Sequence, residues 1–158
     1  MFQSAVYQKG DYIITTDPGK LDRDALYRLL ASSYWANARP REVIDATLAH
    51  SLCFSAYHQD ELIGFARVVT DTAVFAYLCD VIIDEAHRGH GLGKWLMESV
   101  LSHPDTRYVR HWCLRTQDAH GLYRQYGFSA LDDPDRHMRR INPEAFNQFV
   151  AAKLSRKA

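Results

Sequence analysis

The sequence lacks the features that mark several classes of protein. It has only three cysteines in 158 residues, and their wide spacing in apolar segments argues against a disulfide framework and favours reduced thiols. Nineteen basic residues balance nineteen acidic ones, so no overall positive field attracts nucleic acid. No apolar run approaches the roughly 18 residues of a membrane span, and residues 1–10 lack the apolar core of a signal peptide. A cytoplasmic protein without nucleic-acid or membrane partners is predicted.

Linkers and metal-binding motifs are scarce as well. No stretch rich in proline, glycine or serine divides the chain, and its 47% of hydrophobic residues is enough for a buried core. We therefore expect a single domain over residues 1–158. Eight histidines occur, among them His87, His90 and His120, but no Cys/His cluster or His-Glu-x-x-His pattern accompanies them, so no metal is expected.

The sequence does contain a glycine-rich loop between an apolar run and a helical pattern. Residues 88–93 read Arg-Gly-His-Gly-Leu-Gly, after the apolar residues 81–83 and before a helix-like stretch at 94–102. Unpaired backbone N–H groups at a helix N-terminus bind phosphate when no side chain blocks the approach. The spacing does not fit a Walker A loop, which needs Ser or Thr where Trp95 stands, or a dinucleotide fingerprint, whose third glycine would fall at Lys94.

The pattern that fits is Arg/Gln-x-x-Gly-x-Gly/Ala, matched by Arg88, Gly91 and Gly93. The loop resembles the pyrophosphate loop of the GCN5-related N-acetyltransferase (GNAT) superfamily, although taken alone its glycines also suit a tight turn before a helix. The resemblance implies that the loop amides hold the pyrophosphate of acetyl-coenzyme A (acetyl-CoA), while the preceding strand pairs with the pantetheine arm. The cofactor-binding residues implied are Val81, Ile82, Ile83, Arg88, Gly89, His90, Gly91, Leu92, Gly93 and Lys94.

A second stretch supports the same family. Residues 119–128 read Ala-His-Gly-Leu-Tyr-Arg-Gln-Tyr-Gly-Phe, which resembles the family signature Ala-x-x-Leu-Tyr-x-x-x-Gly-Phe. In the family, the tyrosine at this position is the acid that donates a proton to the leaving thiolate, and the resemblance implies this role for Tyr123. The alternative is an aromatic residue that only packs against its neighbours. The chain departs from the family at Thr116, where asparagine is common, and at residues 84–85, where a proline is common.

Periodicity and turn residues predict the order βααβββαβαβ. Strands are expected at residues 12–16, 52–57, 62–70, 75–83 and 108–114, with a last strand or two within 129–140. Asp22 is placed to cap a first helix, and Pro40 suits the first turn of a second helix that runs to about His50. A third helix follows Gly91, and a short fourth begins near residue 118. The basic residues 153–157 are expected to form a solvated tail.

This order is that of the GNAT fold, an α/β (α+β) architecture. The resemblance implies a mixed, mostly antiparallel sheet that is splayed between the fourth and fifth of these strands and flanked by about four helices. Acetyl-CoA would enter the split.

The chemistry implied is transfer of an acetyl group from acetyl-CoA to a primary amine by direct attack in a ternary complex. The amine must first lose a proton, and the leaving thiolate gains from one, for which Tyr123 is the candidate donor. A backbone N–H near Val81 is expected to stabilise the oxyanion. Asp80 is the candidate base, because a carboxylate in so apolar a strand is costly unless it is paired or functional. A buried structural acid bonded to Arg67 or to backbone amides is the open alternative.

Acceptor recognition in this superfamily lies in the first two helices and nearby loops. The candidates are Tyr34, Trp35, Asn37 and Arg39, with Tyr77 and Asp80 from the strand. Aromatic rings beside a carboxylate suit a cation, whereas Arg39 suits a carboxylate. Tyr34 and Trp35 could instead pack a helix end on the core.

Three functions follow from the resemblance. The first is an enzyme that acetylates a small-molecule amine. The alternatives are an acetyltransferase acting on protein N-termini or lysines, and a non-catalytic acyl-CoA-binding sensor, against which Tyr123 argues. A homodimer is compatible with each of them.

Overall fold

One six-stranded sheet forms the centre of the computed structural model, which describes residues 2–156. The strands are Val6–Lys9 (β1), Tyr12–Thr15 (β2), Leu52–His58 (β3), Glu61–Thr70 (β4), Phe75–Ile83 (β5) and His111–Leu114 (β6). They lie side by side in chain order. Neighbouring strands are antiparallel except β5 and β6, which are parallel.

Five α-helices occur within residues 2–156, which makes the observed order ββααβββαβαα. They are Arg23–Ala31 (α1), Arg41–Ala49 (α2), Leu92–Ser102 (α3), His120–Arg124 (α4) and Ala145–Ser155 (α5). Short 3₁₀ helices lie at Pro18–Lys20, Glu85–His87 and Pro134–Arg136. Among the helices of this part of the chain, none combines the length and apolar character that crossing a membrane requires.

The two faces of the sheet are covered by different helices. Successive side chains on a strand point to opposite faces, so the adjacent residues Phe65 and Ala66 belong to different cores. Phe65 packs with Leu26 and Leu30 of α1, whereas Ala66 belongs to the cluster that contains Leu96 of α3. Burial on both faces explains why β4 reads as a nearly continuous apolar run.

Local signals start and end the helices where the sequence predicts. The Asp22 carboxylate accepts the Ala25 N–H at 2.9 Å and caps α1. Pro40 lies directly before α2 with φ −60°, and Gly91 precedes α3 in the left-handed region at φ 74°. After α4, Gly127 is also left-handed, at φ 82°.

The splay lies where it was predicted, between the strands now labelled β5 and β6. Pairing joins residues 75–78 of β5 to residues 111–114 of β6, and β5 continues to Ile83 beyond the end of β6. On its other side, β5 pairs with β4 through a register shift: Cys79 faces Arg67, but Ile82 faces Phe65. Asp80 lies in this bulge with φ 52°. The sheet therefore opens at the C-terminal half of β5.

Three parts of the predicted order are wrong. The last strand or two expected within residues 129–140 are absent there, because this segment is exposed throughout, is rich in charge and contains Pro134, which lacks a ladder donor. A strand was missed at β1, an edge strand whose side chains are mostly exposed and show no apolar run. A helix was missed at α5, which contacts α2 and includes Lys153 of the expected tail. Lys157, the end of that tail, lies outside the described residues.

Candidate active site

A cleft of about 850 Å³ opens where β5 and β6 part. It brings together most of the predicted site residues. Those that line it are Tyr34, Trp35, Arg39, Tyr77, Asp80, Val81, Ile82, Ile83, Arg88 and Tyr123. The remaining predicted loop residues, 89–94, follow Arg88 and do not line this cleft. Such a volume lies within the range of small-molecule sites, roughly 300–1,000 Å³.

The glycine-rich loop presents backbone amides without intramolecular acceptors. The first bond of α3 runs from the Trp95 N–H to the Gly91 carbonyl at 3.1 Å. Within residues 2–156, no acceptor is found for the backbone N–H groups of residues 89–94. Gly89 and Gly91 are left-handed, at φ 83° and 74°, and a Cβ atom at either position would meet nothing within 4 Å. The loop is therefore open to a ligand that accepts hydrogen bonds, such as a phosphate.

The side chains around these amides hold the loop in place. Arg88 donates from Nε to the Ile83 carbonyl at 3.0 Å, which ties the loop to the end of β5. Leu92 is buried in the core. The Lys94 carbonyl accepts the Tyr126 hydroxyl at 2.9 Å, which joins α3 to the turn that follows α4. His90 contacts the His87 carbonyl through Nδ1 at 3.3 Å. Open amides on a fixed loop beside a cleft fit the pyrophosphate of acetyl-CoA.

The C-terminal half of β5 leaves backbone groups available along the cleft. Residues 79–83 have no partner on β6, and the bulge leaves Asp80 and Val81 outside the paired positions of β4 and β5. This is where an oxyanion donor was expected from the sequence. The edge can accept a second extended chain as a strand would.

Tyr123 projects from α4 into the same cleft. Its side chain is mostly buried, with 8% exposure, and packs edge-on against Phe128 with ring centroids 5.9 Å apart. Burial, followed by the nearby charge of Asp118, raises the pKa of Tyr123 to about 12. Its hydroxyl finds no hydrogen-bond partner among residues 2–156 and remains available to a ligand as a protonated donor.

Asp80 is held by two arginines at the floor of the cleft. Its side chain is only 3% exposed. Arg67 donates from Nε at 2.8 Å, and Arg39 donates from Nη1 to both carboxylate oxygens at 3.0 and 3.1 Å. Burial alone would raise the pKa of Asp80, but hydrogen bonds and charges from Arg39 and Arg67 outweigh it and lower the pKa below its ordinary value. The Arg67 contact is the one expected of a structural acid, and Arg39 is an additional partner.

The cleft also contains residues that the sequence did not single out. Arg115 and Asp118 line it. Thr116, named above as a departure from the family pattern, accepts the Ala119 N–H at 3.0 Å and shapes the start of α4. Residues 115–118 directly follow β6, and segments at the carboxyl ends of parallel strands commonly form binding sites. This position is the signal that could have identified Arg115.

Tyr34 and Trp35 lie on the cleft rather than in the core. Both are exposed, and their rings meet edge-on at 4.9 Å. The Tyr34 hydroxyl accepts the Gln117 N–H at 3.3 Å. The segment after α1 and the segment after β6 thus meet across the mouth of the cleft.

Comparison with known proteins relates this chain to a protein family. Residues 49–130 match the family described as the acetyltransferase (GNAT) domain. An acetyltransferase of the GNAT family from Xanthomonas campestris pv. campestris, whose crystal structure is known, is 38% identical to this chain with a TM-score of 0.81. The alignment covers 88% of this chain and 99% of that protein.

Two further relatives extend the comparison. A Gibberella zeae protein named as an acetyltransferase is 31% identical over 112 residues, which cover 58% of this chain and 63% of that protein. The match thus covers less than two thirds of that curated relative. A GNAT acetyltransferase from Elizabethkingia anophelis, whose structure was solved with acetyl-CoA bound, is 19% identical with a TM-score of 0.59. The alignment covers 87% of this chain and 92% of the Elizabethkingia protein. At this identity the likeness shows the fold.

Proposed function

The chain belongs to the GNAT acetyltransferase family, and from that premise we propose that it is an acetyl-CoA-dependent N-acetyltransferase acting on small-molecule amines. The observation that carries the proposal is the cleft at the opening of the sheet, which the protonated hydroxyl of Tyr123 enters and which Arg88 lines directly before the open amides of residues 89–94. We also propose that residues 2–156 form one catalytic domain, which the single continuous sheet supports.

Each part of the site has a role in this proposal. Acetyl-CoA supplies the acetyl group as a thioester. The amides of residues 89–94 bind its pyrophosphate, and the free edge of β5 at residues 79–83 aligns its pantetheine arm. A backbone N–H beside Val81 donates to the acyl oxygen as negative charge develops there.

Tyr123 acts on the departing sulfur as a hydrogen-bond donor. A thiol has a pKa of about 8.5, whereas burial raises the pKa of Tyr123 to about 12. Complete transfer of the phenol proton to a thiolate would therefore cost about 5 kcal/mol. A donated hydrogen bond stabilises the developing thiolate without this cost.

Asp80 has the role of positioning Arg39 rather than of taking a proton. A carboxylate whose pKa is lowered by two guanidinium groups is a weak base near neutral pH. The acceptor amine can instead become neutral because the positive charge of the arginines and removal from water both lower the pKa of an ammonium.

Direct attack is supported by the state of Cys79, the thiol that lines the cleft. Burial raises the pKa of this thiol above its ordinary value, so little reactive thiolate forms at neutral pH. A covalent acetyl-enzyme on Cys79 is therefore disfavoured, and the Cys79→Ser variant is expected to retain activity.

Thiol release from acetyl-CoA, measured over a panel of small amines and of peptides, tests the proposal. Tyr123→Phe is expected to lower kcat by about a hundredfold. Tyr108→Phe is the matched control, because this tyrosine is exposed and lies outside the cleft, and its kcat should not change. Turnover by Tyr123→Phe equal to that of the unaltered protein would contradict the role of this hydroxyl.

One variant tests the loop, and two outcomes of the acceptor panel separate the remaining alternatives. Gly91→Glu is expected to abolish acetyl-CoA binding in calorimetry, through backbone strain at φ 74° and repulsion of the pyrophosphate. Acetylation of peptides only, at N-termini or lysines, would favour a protein acceptor. Binding of acetyl-CoA with no transfer to any amine or peptide would favour a sensor.

A further inference from the structure

The cleft carries more positive than negative charge. Its charged lining residues are four arginines and two aspartates: Arg39, Arg67, Arg88, Arg115, Asp80 and Asp118. Arg88 lies at the loop end, bonded to the Ile83 carbonyl, where it faces the proposed pyrophosphate site. We call the rest of the cleft the acceptor side. Its charged groups are three guanidinium groups, of Arg39, Arg67 and Arg115, and two carboxylates, of Asp80 and Asp118.

The Asp80 charge is not available to an incoming cation. Arg39 and Arg67 occupy both carboxylate oxygens at 2.8–3.1 Å, and the side chain is only 3% exposed. An ammonium group would have to displace a guanidinium from a buried ion pair to reach it. A cation therefore cannot use Asp80, and the exposed Asp118 is the carboxylate of the cleft lining that it can reach.

Two arginines of the acceptor side keep unused donors. A guanidinium has five N–H donors in a planar fork, and among residues 2–156 Arg39 uses only Nη1, toward Asp80. Arg115 forms no ion pair with any side chain in this part of the chain. Such donors bind carboxylate or phosphate oxygens in pairs.

We propose that the acceptor carries an anionic group, a carboxylate or a phosphate, in addition to its amine, and that Arg39 and Arg115 bind this group. The inference rests on the proposed function, since it assigns the substrate class of the same site. Binding the anion at the arginines directs the amine toward the free edge of β5.

Matched pairs of acceptors test this inference in the thiol-release assay. One pair is an amino acid and its carboxamide, and the other is an aminoalkyl phosphate and the corresponding amino alcohol. Rates are normalised to the fraction of neutral amine at the assay pH. We expect kcat/KM to be at least about tenfold higher for the anionic member of one pair, as is typical of a charge-assisted contact. The pair that shows the larger ratio identifies the anionic group.

Arginine variants assign the preference to residues. Arg39→Gln and Arg115→Gln are each expected to remove most of the preference by raising KM for the anionic acceptor. The Kd of acetyl-CoA, measured by calorimetry, should stay unchanged. Arg139→Gln, which removes an exposed arginine outside the cleft, is the charge-matched control and should keep the full preference. Since Arg39 also neutralises Asp80, Arg115→Gln decides the matter where Arg39→Gln does not fold.

The outcomes separate this inference from the proposed function. Equal kcat/KM within both pairs, or a full preference in both arginine variants, would overturn the inference and leave the acetyltransferase activity in place. Absence of transfer to every acceptor, charged or neutral, would overturn the proposed small-molecule activity and the inference with it.

Discussion

Replacing Asp80 with asparagine is expected to destabilise the protein more than it slows the chemistry. The amide keeps the shape of the side chain but removes the charge that neutralises Arg67 and Arg39, whose side chains are only 10% and 15% exposed. Removing one partner of a buried ion pair costs about 3–5 kcal/mol. Arg39 is the more exposed arginine and can turn toward water, so we expect a loss of about 2–4 kcal/mol in the free energy of unfolding.

Urea unfolding of the Asp80→Asn variant and of the unaltered protein measures this loss. Asp118→Asn is the matched control, since Asp118 lines the same cleft but is exposed, and a change within about 0.5 kcal/mol is expected there. Because the folded-state pKa of Asp80 is lowered, its contribution is present above the ordinary value of 3.8 and is lost as the pH falls through the folded value. The difference between variant and unaltered protein should therefore shrink in acid.

Activity of the folded variant decides between the two roles of Asp80. Removal of a general base lowers kcat by about 10²–10⁴-fold, whereas loss of a positioning residue should lower it by less than about tenfold. A cost below about 1 kcal/mol would refute the ion-pair argument. A hundredfold fall in kcat with normal acceptor KM would refute the positioning role and restore Asp80 as the base.

Three further predictions concern the loop, a buried histidine and the contact of Tyr126 with α3. Gly91→Ala should cost about 1–2 kcal/mol in thermal unfolding, since a Cβ there meets nothing within 4 Å and only the backbone at φ 74° is strained; an unchanged Tm would contradict that reasoning. His103 is fully buried, donates from Nε2 to the Gln3 carbonyl and accepts at Nδ1, and burial lowers its pKa from 6.5. As the pH falls, the unfolded chain therefore binds a proton at this histidine before the folded chain does, and the free energy of unfolding should decrease below pH 6.5. Urea unfolding at about pH 7.5 and about pH 5.5 measures this decrease, which should be smaller in His103→Gln. Tyr126→Phe removes the bond to the Lys94 carbonyl and should cost about 0.5–1.5 kcal/mol in urea unfolding; no loss would show that this contact is not stabilising.

Much of the fold could be predicted because its signals are local. Asp22, Pro40 and Gly91 mark helix starts through hydrogen bonding and φ preferences of single residues. The strands β3, β4 and β5 were placed within a residue or so because their apolar side chains face two cores. The prediction failed at β1 and at residues 129–140, since pairing at a sheet edge depends on a neighbour and exposed segments carry no periodic apolar pattern.

The candidate site also has a part that local sequence predicts and a part that depends on distant contacts. The loop and the α4 signature each lie within about ten consecutive residues, so their resemblance to the family motifs was enough to predict Tyr123 and the amides of residues 89–94 as site residues. Arg115 was missed because nothing in its immediate sequence indicates what faces it. Its relevance depends on where β6 ends relative to β5.

The part of the site that we propose for the acetyl donor could be predicted from local sequence. The first backbone N–H groups of a helix have no acceptor within the helix. Glycines before the helix leave these groups open to a ligand. The part that we propose for the acceptor depends on contacts between distant segments, which the folded chain alone shows. Arg39, Arg67 and Asp80 come from three separate segments, and the separation of 41 positions between Arg39 and Asp80 is closed by folding alone. Whether that carboxylate is a free base or a neutralised ion depends on distances that no local pattern encodes.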